Sequence, residues 1–172
     1  MAATYELIAS NTLSTSAASV TFSSIPATYT DLMLKISTRV SSGVASSLVY
    51  KINSDTNTNY SRILLRGDGK NRLSNLTSNS SHPQLTSMNQ GISTTSNTFT
   101  NVEIYIPSYT VSQNKPISVF GTTENNANTS YIAVFAALWR NTSAITSIEL
   151  SDLSAFTFET GSSFFLYGIS NS

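Results

Sequence analysis

Apolar residues in this chain recur at every second position in segment after segment, and that period limits what it can fold into. In Asp31–Val40, Leu32, Leu34, Ile36 and Val40 fall on one side of an extended backbone, while Lys35, Ser37 and Arg39 fall on the other. Side chains of a strand alternate between faces, so the pattern calls for a sheet with one dry and one wet face. The same holds for Leu48, Tyr50 and Ile52, and for Val102, Ile104 and Ile106 against Glu103 and Tyr105. Further strands are expected at residues 5–10, 18–22, 60–66, 116–123, 130–140, 145–150 and 162–169. The run 131–139 is apolar in both registers, which predicts a central strand packed on two sides.

Turn chemistry separates these segments: Ser24-Ile25-Pro26-Ala27, Arg66-Gly67-Asp68-Gly69-Lys70, Glu124-Asn125-Asn126-Ala127-Asn128 and Thr160-Gly161-Ser162. No segment has a convincing helical period. About 8–10 strands with a turn every ten or so residues predict an all-β fold, an antiparallel β-sandwich of jelly-roll type, with a partly closed barrel as the alternative. At 172 residues the chain fits a single domain, 1–172, able to bury roughly 70% of the surface its unfolded form exposes. It has no cysteine, so disulfides and thiolate metal sites are excluded, and stability must come from packing and strand pairing.

Residues 71–98 break the rhythm. They are rich in Asn, Ser and Thr with scattered apolar residues, and only residues 84–92 have the makings of a strand. Loops of this length are uncommon inside compact domains, so the segment reads as a polar surface excursion, a contact arm. Leu76, His82, Leu85, Met88 and Ile92 are its candidate partner-contact residues.

Nine Lys and Arg balance nine Asp and Glu, and only 10% of residues are charged, against about 25% in an average domain. A nucleic-acid or anionic-membrane partner would leave a basic footprint, and none is visible. Ser and Thr make up roughly a third of the chain, giving a surface whose hydrogen bonds, unlike ion pairs, are not screened by salt. So few charges resist association poorly, which suits a protein covered by neighbours in an assembly. No basic region precedes an apolar run at Met1-Ala2-Ala3, and the stretch 132–139 is far short of the roughly 20 residues of a membrane helix. The expectation is a protein made in a cytoplasm and not secreted.

Catalytic and metal chemistry find little to build on. His82, the single histidine, lies in Ser80-Ser81-His82-Pro83 with no nucleophile motif beside it. The carboxylates Glu6, Asp31, Asp55, Asp68, Glu103, Glu124, Glu149, Asp152 and Glu159 are widely spaced, and no pair stands out for glycoside hydrolysis. Asp55-Thr56-Asn57-Thr58-Asn59 has the alternating oxygens of a calcium loop but lacks its sixth-position Gly and twelfth-position Glu, so a turn capped by its own side chains is expected. Arg66-Gly67-Asp68 spells an integrin-recognition tripeptide, yet with Gly69 it is equally the chemistry of a tight turn. Five Asn-x-Ser/Thr matches, at Asn59, Asn75, Asn79, Asn128 and Asn141, are no more than so Asn-, Ser- and Thr-rich a chain produces by chance. Phe22, Phe120, Phe135 and Phe158 are expected at core-facing strand positions. The chain is therefore read as a non-enzyme without catalytic residues, cofactor or metal.

Four stretches together resemble structural proteins of tailed bacteriophage virions. They are Tyr5-Glu6-Leu7-Ile8-Ala9-Ser10 with Ala18-Ser19-Val20-Thr21-Phe22-Ser23-Ser24-Ile25-Pro26; Asn59-Tyr60-Ser61-Arg62 with Leu65-Arg66-Gly67-Asp68-Gly69; Asn97-Thr98-Phe99 with Val102-Glu103-Ile104-Tyr105-Ile106-Pro107; and Ile145-Thr146-Ser147-Ile148 through Phe165-Leu166-Tyr167-Gly168-Ile169. The likeness is least over 71–98. It implies a capsid decoration or cement protein located in the virion, binding the major capsid protein shell as a homo-oligomer, a dimer or trimer. The alternative is a tail fibre or appendage module that binds host-surface glycans.

Overall fold

A computed structural model of the protein describes residues 4–92, 95–124 and 130–170. Among these, twelve strands follow in chain order: β1 (Tyr5–Thr12), β2 (Ser19–Phe22), β3 (Asp31–Val40), β4 (Ser46–Ile52), β5 (Tyr60–Gly67), β6 (Arg72–Ser80), β7 (Gln84–Gly91), β8 (Thr100–Ile106), β9 (Lys115–Glu124), β10 (Ser130–Trp139), β11 (Ile148–Asp152) and β12 (Ser163–Ile169). The described residues contain no helix. Most of the turn expected at residues 124–128, and the Asn128 glycosylation match, fall on residues 125–129 and lie outside the described residues, as do Met1, Ala2 and Ala3.

Eight strands pair in the order β1-β12-β3-β8-β9-β10-β5-β6, every neighbouring pair antiparallel. Four more pair as β2-β11-β4-β7, also antiparallel. A short parallel contact of β7 with β3, Arg39 to Gln90 and Val40 to Gly91, joins the two sets. The alternation seen in the sequence now has a cause: Leu32, Leu34 and Ile36 of β3, Val102, Ile104 and Ile106 of β8, and Phe164 and Leu166 of β12 point inward from the larger set. Val20, Phe22, Leu48, Tyr50, Ile52, Ile148 and Leu150 of the smaller set belong to the same core cluster. The fold is all-β and sandwich-like, as the period predicts.

Three expectations need correction. Residues 71–98 are not a loop excursion, because they carry β6, hydrogen-bonded to β5, and β7, hydrogen-bonded to β4. The strand period was hidden for two different reasons. β6 is an edge strand exposed on both faces, so nothing in its sequence needs to alternate. In β7, Ser87 at φ 62° lies between Leu85 and Met88, both wholly buried, and the strand's pairing with β4 shifts register between Ser46 and Leu48. A bulge of this kind inserts a residue and moves the next apolar side chain out of the period of two.

The second correction concerns β10. It is central in its sheet, between β9 and β5, and buries Ala133, Phe135, Ala137 and Trp139, but Ile132 and Val134 on its other face are 53% and 50% exposed. Among the described residues nothing covers that face. Phe120 is the third: it shares the outward register of β9 with Pro116 and Ser118 and is 46% exposed, whereas Phe22, Phe135 and Phe158 are buried.

The junction of the two strand sets is tight. A methyl group added at Gly91 would lie 2.3 Å from the Val44 carbonyl oxygen and 2.6 Å from that of Ser42. Backbone cannot swing aside as a flexible side chain can, so Gly91→Ala is expected to lower stability by about 1–3 kcal/mol. Urea unfolding checks this, and an unchanged midpoint would show the junction to be looser than described.

Candidate interaction face

The outer face of the larger sheet follows from register. Reading across hydrogen-bonded partners, one row runs Phe165, Lys35, Glu103, Phe120, Val134, Leu65, Ser74. The next runs Tyr167, Met33, Tyr105, Ser118, Ala136, Ile63, Leu76. On the other side of the first row, Ile132 lies between Thr122 and Gly67. Directly opposed side chains on one sheet face are within contact distance, so these rows are continuous surfaces.

Ile63, Leu65, Leu76, Phe120, Ile132 and Val134 are each between 46% and 67% exposed. Singly exposed apolar residues are ordinary, but six on four adjacent strands form a patch of the kind that marks association surfaces. The outward positions of β5, β9 and β10 carry no charged side chain: Ser61, Ile63, Leu65 and Gly67; Pro116, Ser118, Phe120 and Thr122; Ile132, Val134, Ala136 and Leu138. The Lys35–Glu103 ion pair borders the patch on the β3 and β8 side, with both side chains about half exposed. So exposed a pair contributes little to stability and serves as a polar rim.

The opposite side of the same strands is locked to β7. Arg66 Nη1 donates to Ser87 Oγ at 2.6 Å and its guanidinium lies 4.4 Å from the centre of the Tyr131 ring. Arg62 lies over Phe135 and Thr123 Oγ1 donates to the Ser87 carbonyl. Buried Asn89 ties β7 further, accepting from Thr38 Oγ1 and donating to Asp152 Oδ2, both at 2.8 Å. The apolar patch is thus presented by strands held from behind.

Of the sequence-derived contact residues, only Leu76 belongs to this face, at 67% exposure. His82 is half-buried in the β6–β7 turn, where Ser81 Oγ meets its Nδ1; burial and the charge of Lys51 lower its pKa. Leu85 and Met88 are core residues, and Ile92 is exposed at the junction of the strand sets, where its carbonyl accepts from Arg39 Nη2. The structure therefore does not bring the five together as one arm. The two-sided apolarity of β10 was readable in the sequence, but which of its faces is left open was not, nor was the outward register of Phe120 in β9.

The other motifs resolve as local structure. The Arg66-Gly67-Asp68 tripeptide makes the β5–β6 turn, its guanidinium held as described and its carboxylate accepting the amides of Lys70 and Asn71, which keep the Asp68 pKa at about 2. Asp55 accepts from Asn57 N and Nδ2, Asn59 Nδ2 and the indole of buried Trp139. Lys115, wholly buried, donates to the carbonyls of Val111 and Gln113. Among the described residues, no three His, Cys, Asp or Glu gather where they could hold a metal ion.

No protein-family model matches this chain, and neither a curated protein nor a solved structure matches it.

Proposed function

We propose that this chain is a virion structural protein, a capsid decoration or cement protein that lays the open face of β9, β10, β5 and β6 against the major capsid protein shell. The observation that carries the reading is the uncovered side of β10, a strand apolar in both registers of which the fold covers one. An apolar face held rigid from behind, with the charges of Glu124 and Arg72 only at its strand ends, fits a large, permanent contact rather than a transient one. A ligand that binds the assembled shell but not free subunits shifts the equilibrium toward the shell, which is what cementing means in thermodynamic terms.

Two further features support it. One is the likeness of strand and turn segments to phage virion proteins described above. The other is the pairing of β1 with β12, β2 with β11, β3 with β8 and β4 with β7, which is compatible with a long hairpin rolled on itself in jelly-roll fashion, with β5, β6, β9 and β10 added at one sheet edge. Jelly rolls recur in viral capsid and lectin domains. Fold likeness alone is an analogy, so the face has to be tested.

Cryo-electron microscopy of the intact particle should show this chain on the shell, with the β10 face toward the lattice; density confined to the tail tip would sink the proposal. With purified shells, Val134→Lys and Leu65→Lys should each weaken binding about tenfold or more while leaving thermal stability nearly unchanged, since both side chains are already half in water.

One observation favours the glycan-binding tail module as a second reading. Phe165 and Tyr167 stack with ring centres 6.5 Å apart, beside a groove lined by Lys35, Ser37, Asn101, Glu103 and Ser163. Aromatic faces beside hydrogen-bonding groups suit saccharides. Selective signal on a glycan array, lost in Phe165→Ala, would favour it.

A further inference from the structure

We infer that two copies of this chain pair edge to edge through β6, antiparallel about a twofold axis near Leu76, to form one continuous sheet. This goes beyond the shell-binding proposal and stands without it. Among the described residues β6 hydrogen-bonds to β5 alone, so its other side is a free edge, regular over residues 72–77 and bulged at Ser78 and Asn79. Exposed edges are normally blunted by charge, proline, bulges or shortness. β6 has no proline, its one charged residue is Arg72 at its start, and its bulge, with Asn79 at φ 54°, is confined to its last three residues.

A second copy is the occupant that this edge fits. Antiparallel pairing centred on Leu76 brings Arg72 to the Ser80 end of the second copy's strand. The two guanidiniums then lie roughly 27 Å apart at about 3.3 Å per residue, beyond the screening length of about 8 Å at physiological salt. Asn75 falls opposite Thr77, a pair that hydrogen-bonds across strands. An edge alone is small against the about 800 Å2 per partner of a stable interface. Apolar contact enlarges it, because Leu76, 67% exposed, meets Leu76 of the second copy with Ile63 flanking on each side. The contact is self-complementary, as a twofold requires.

Sedimentation velocity of the full chain across the micromolar range tests this. The wild type should dimerise, and Leu76→Lys should raise the dimer dissociation constant about tenfold or more, because like charges then face each other. Leu76→Glu should do the same, and mixing the two variants should restore the dimer. Leu7→Lys, on the β1 edge, should leave it intact, and unchanged melting temperatures would exclude misfolding as the cause. A wild type monomeric throughout, a dimer indifferent to both Leu76 variants, or one lost instead in Leu7→Lys would overturn the inference; in the last case the contact is at β1. Binding of an extended peptide from another protein at β6, without self-association, would also overturn it.

Discussion

Asp55→Ala is expected to lower stability by about 3–4 kcal/mol, since a hydrogen bond to a charged group contributes roughly 1.5–3 kcal/mol and a buried donor left unpaired adds its desolvation cost. Four donors converge on this carboxylate, and one is the indole N–H of Trp139, at 2.7 Å and wholly buried. The others, from Asn57 and Asn59, shape the β4–β5 connection. In a chain of this size the loss corresponds to a melting temperature lower by about 10 °C. A shift of only a degree or two would mean that solvent replaces the carboxylate at no cost.

The same group sets an acid dependence. Burial by itself raises the Asp55 pKa, but the bonds from Asn59, Trp139 and Asn57 outweigh it and hold the carboxyl at about 2, below its ordinary 3.8. A depressed acid stabilises the fold above its unfolded pKa, and the contribution disappears as pH falls through the folded value. Between pH 4 and pH 2 this is about 2 kcal/mol, at 1.36 kcal/mol per pKa unit. Melting curves over that window should therefore fall less steeply for Asp55→Asn than for the wild type. Parallel curves would show that other carboxylates carry the acid response.

Truncating the core of β7 should be as damaging. Leu85→Ala and Met88→Ala are each expected to cost about 2–5 kcal/mol, the range for buried aliphatic side chains whose removal leaves a cavity. Both residues are wholly buried, and β7 is the only described strand that hydrogen-bonds across from the smaller set to the larger. By contrast Leu76→Ala, on the exposed edge strand, should stay within about 0.5 kcal/mol. Deleting residues 71–98 should then abolish folding rather than release an arm. A deletion variant with native near-ultraviolet circular dichroism would refute the placement of β7 in the core.

The contrast between Leu85 and Leu76 shows where sequence reasoning ran short. Both lie in one Asn- and Ser-rich stretch, and both read as surface contacts. Burial of Leu85 depends on β4 and β3, remote in sequence, and the bulge at Ser87 removes the local signal that would have announced it. The Asp55 turn was legible because Asx chemistry acts over two to four residues, as the bonds to Asn57 and Asn59 do. Its bond to Trp139, across 84 positions, was not.

By itself the sequence determined most of the strands and the inward residues of β3, β4 and β8, because alternation is a property of the extended backbone and needs no partner. It also determined that Ile132 and Val134 of β10 are as apolar as Ala133 and Phe135 behind them. Only the tertiary structure decided that one of those faces is covered and the other open. A two-layer fold has one interior, and a strand apolar on both sides must leave one side at the surface unless a third layer arrives. On this protein that third layer is proposed to be the shell.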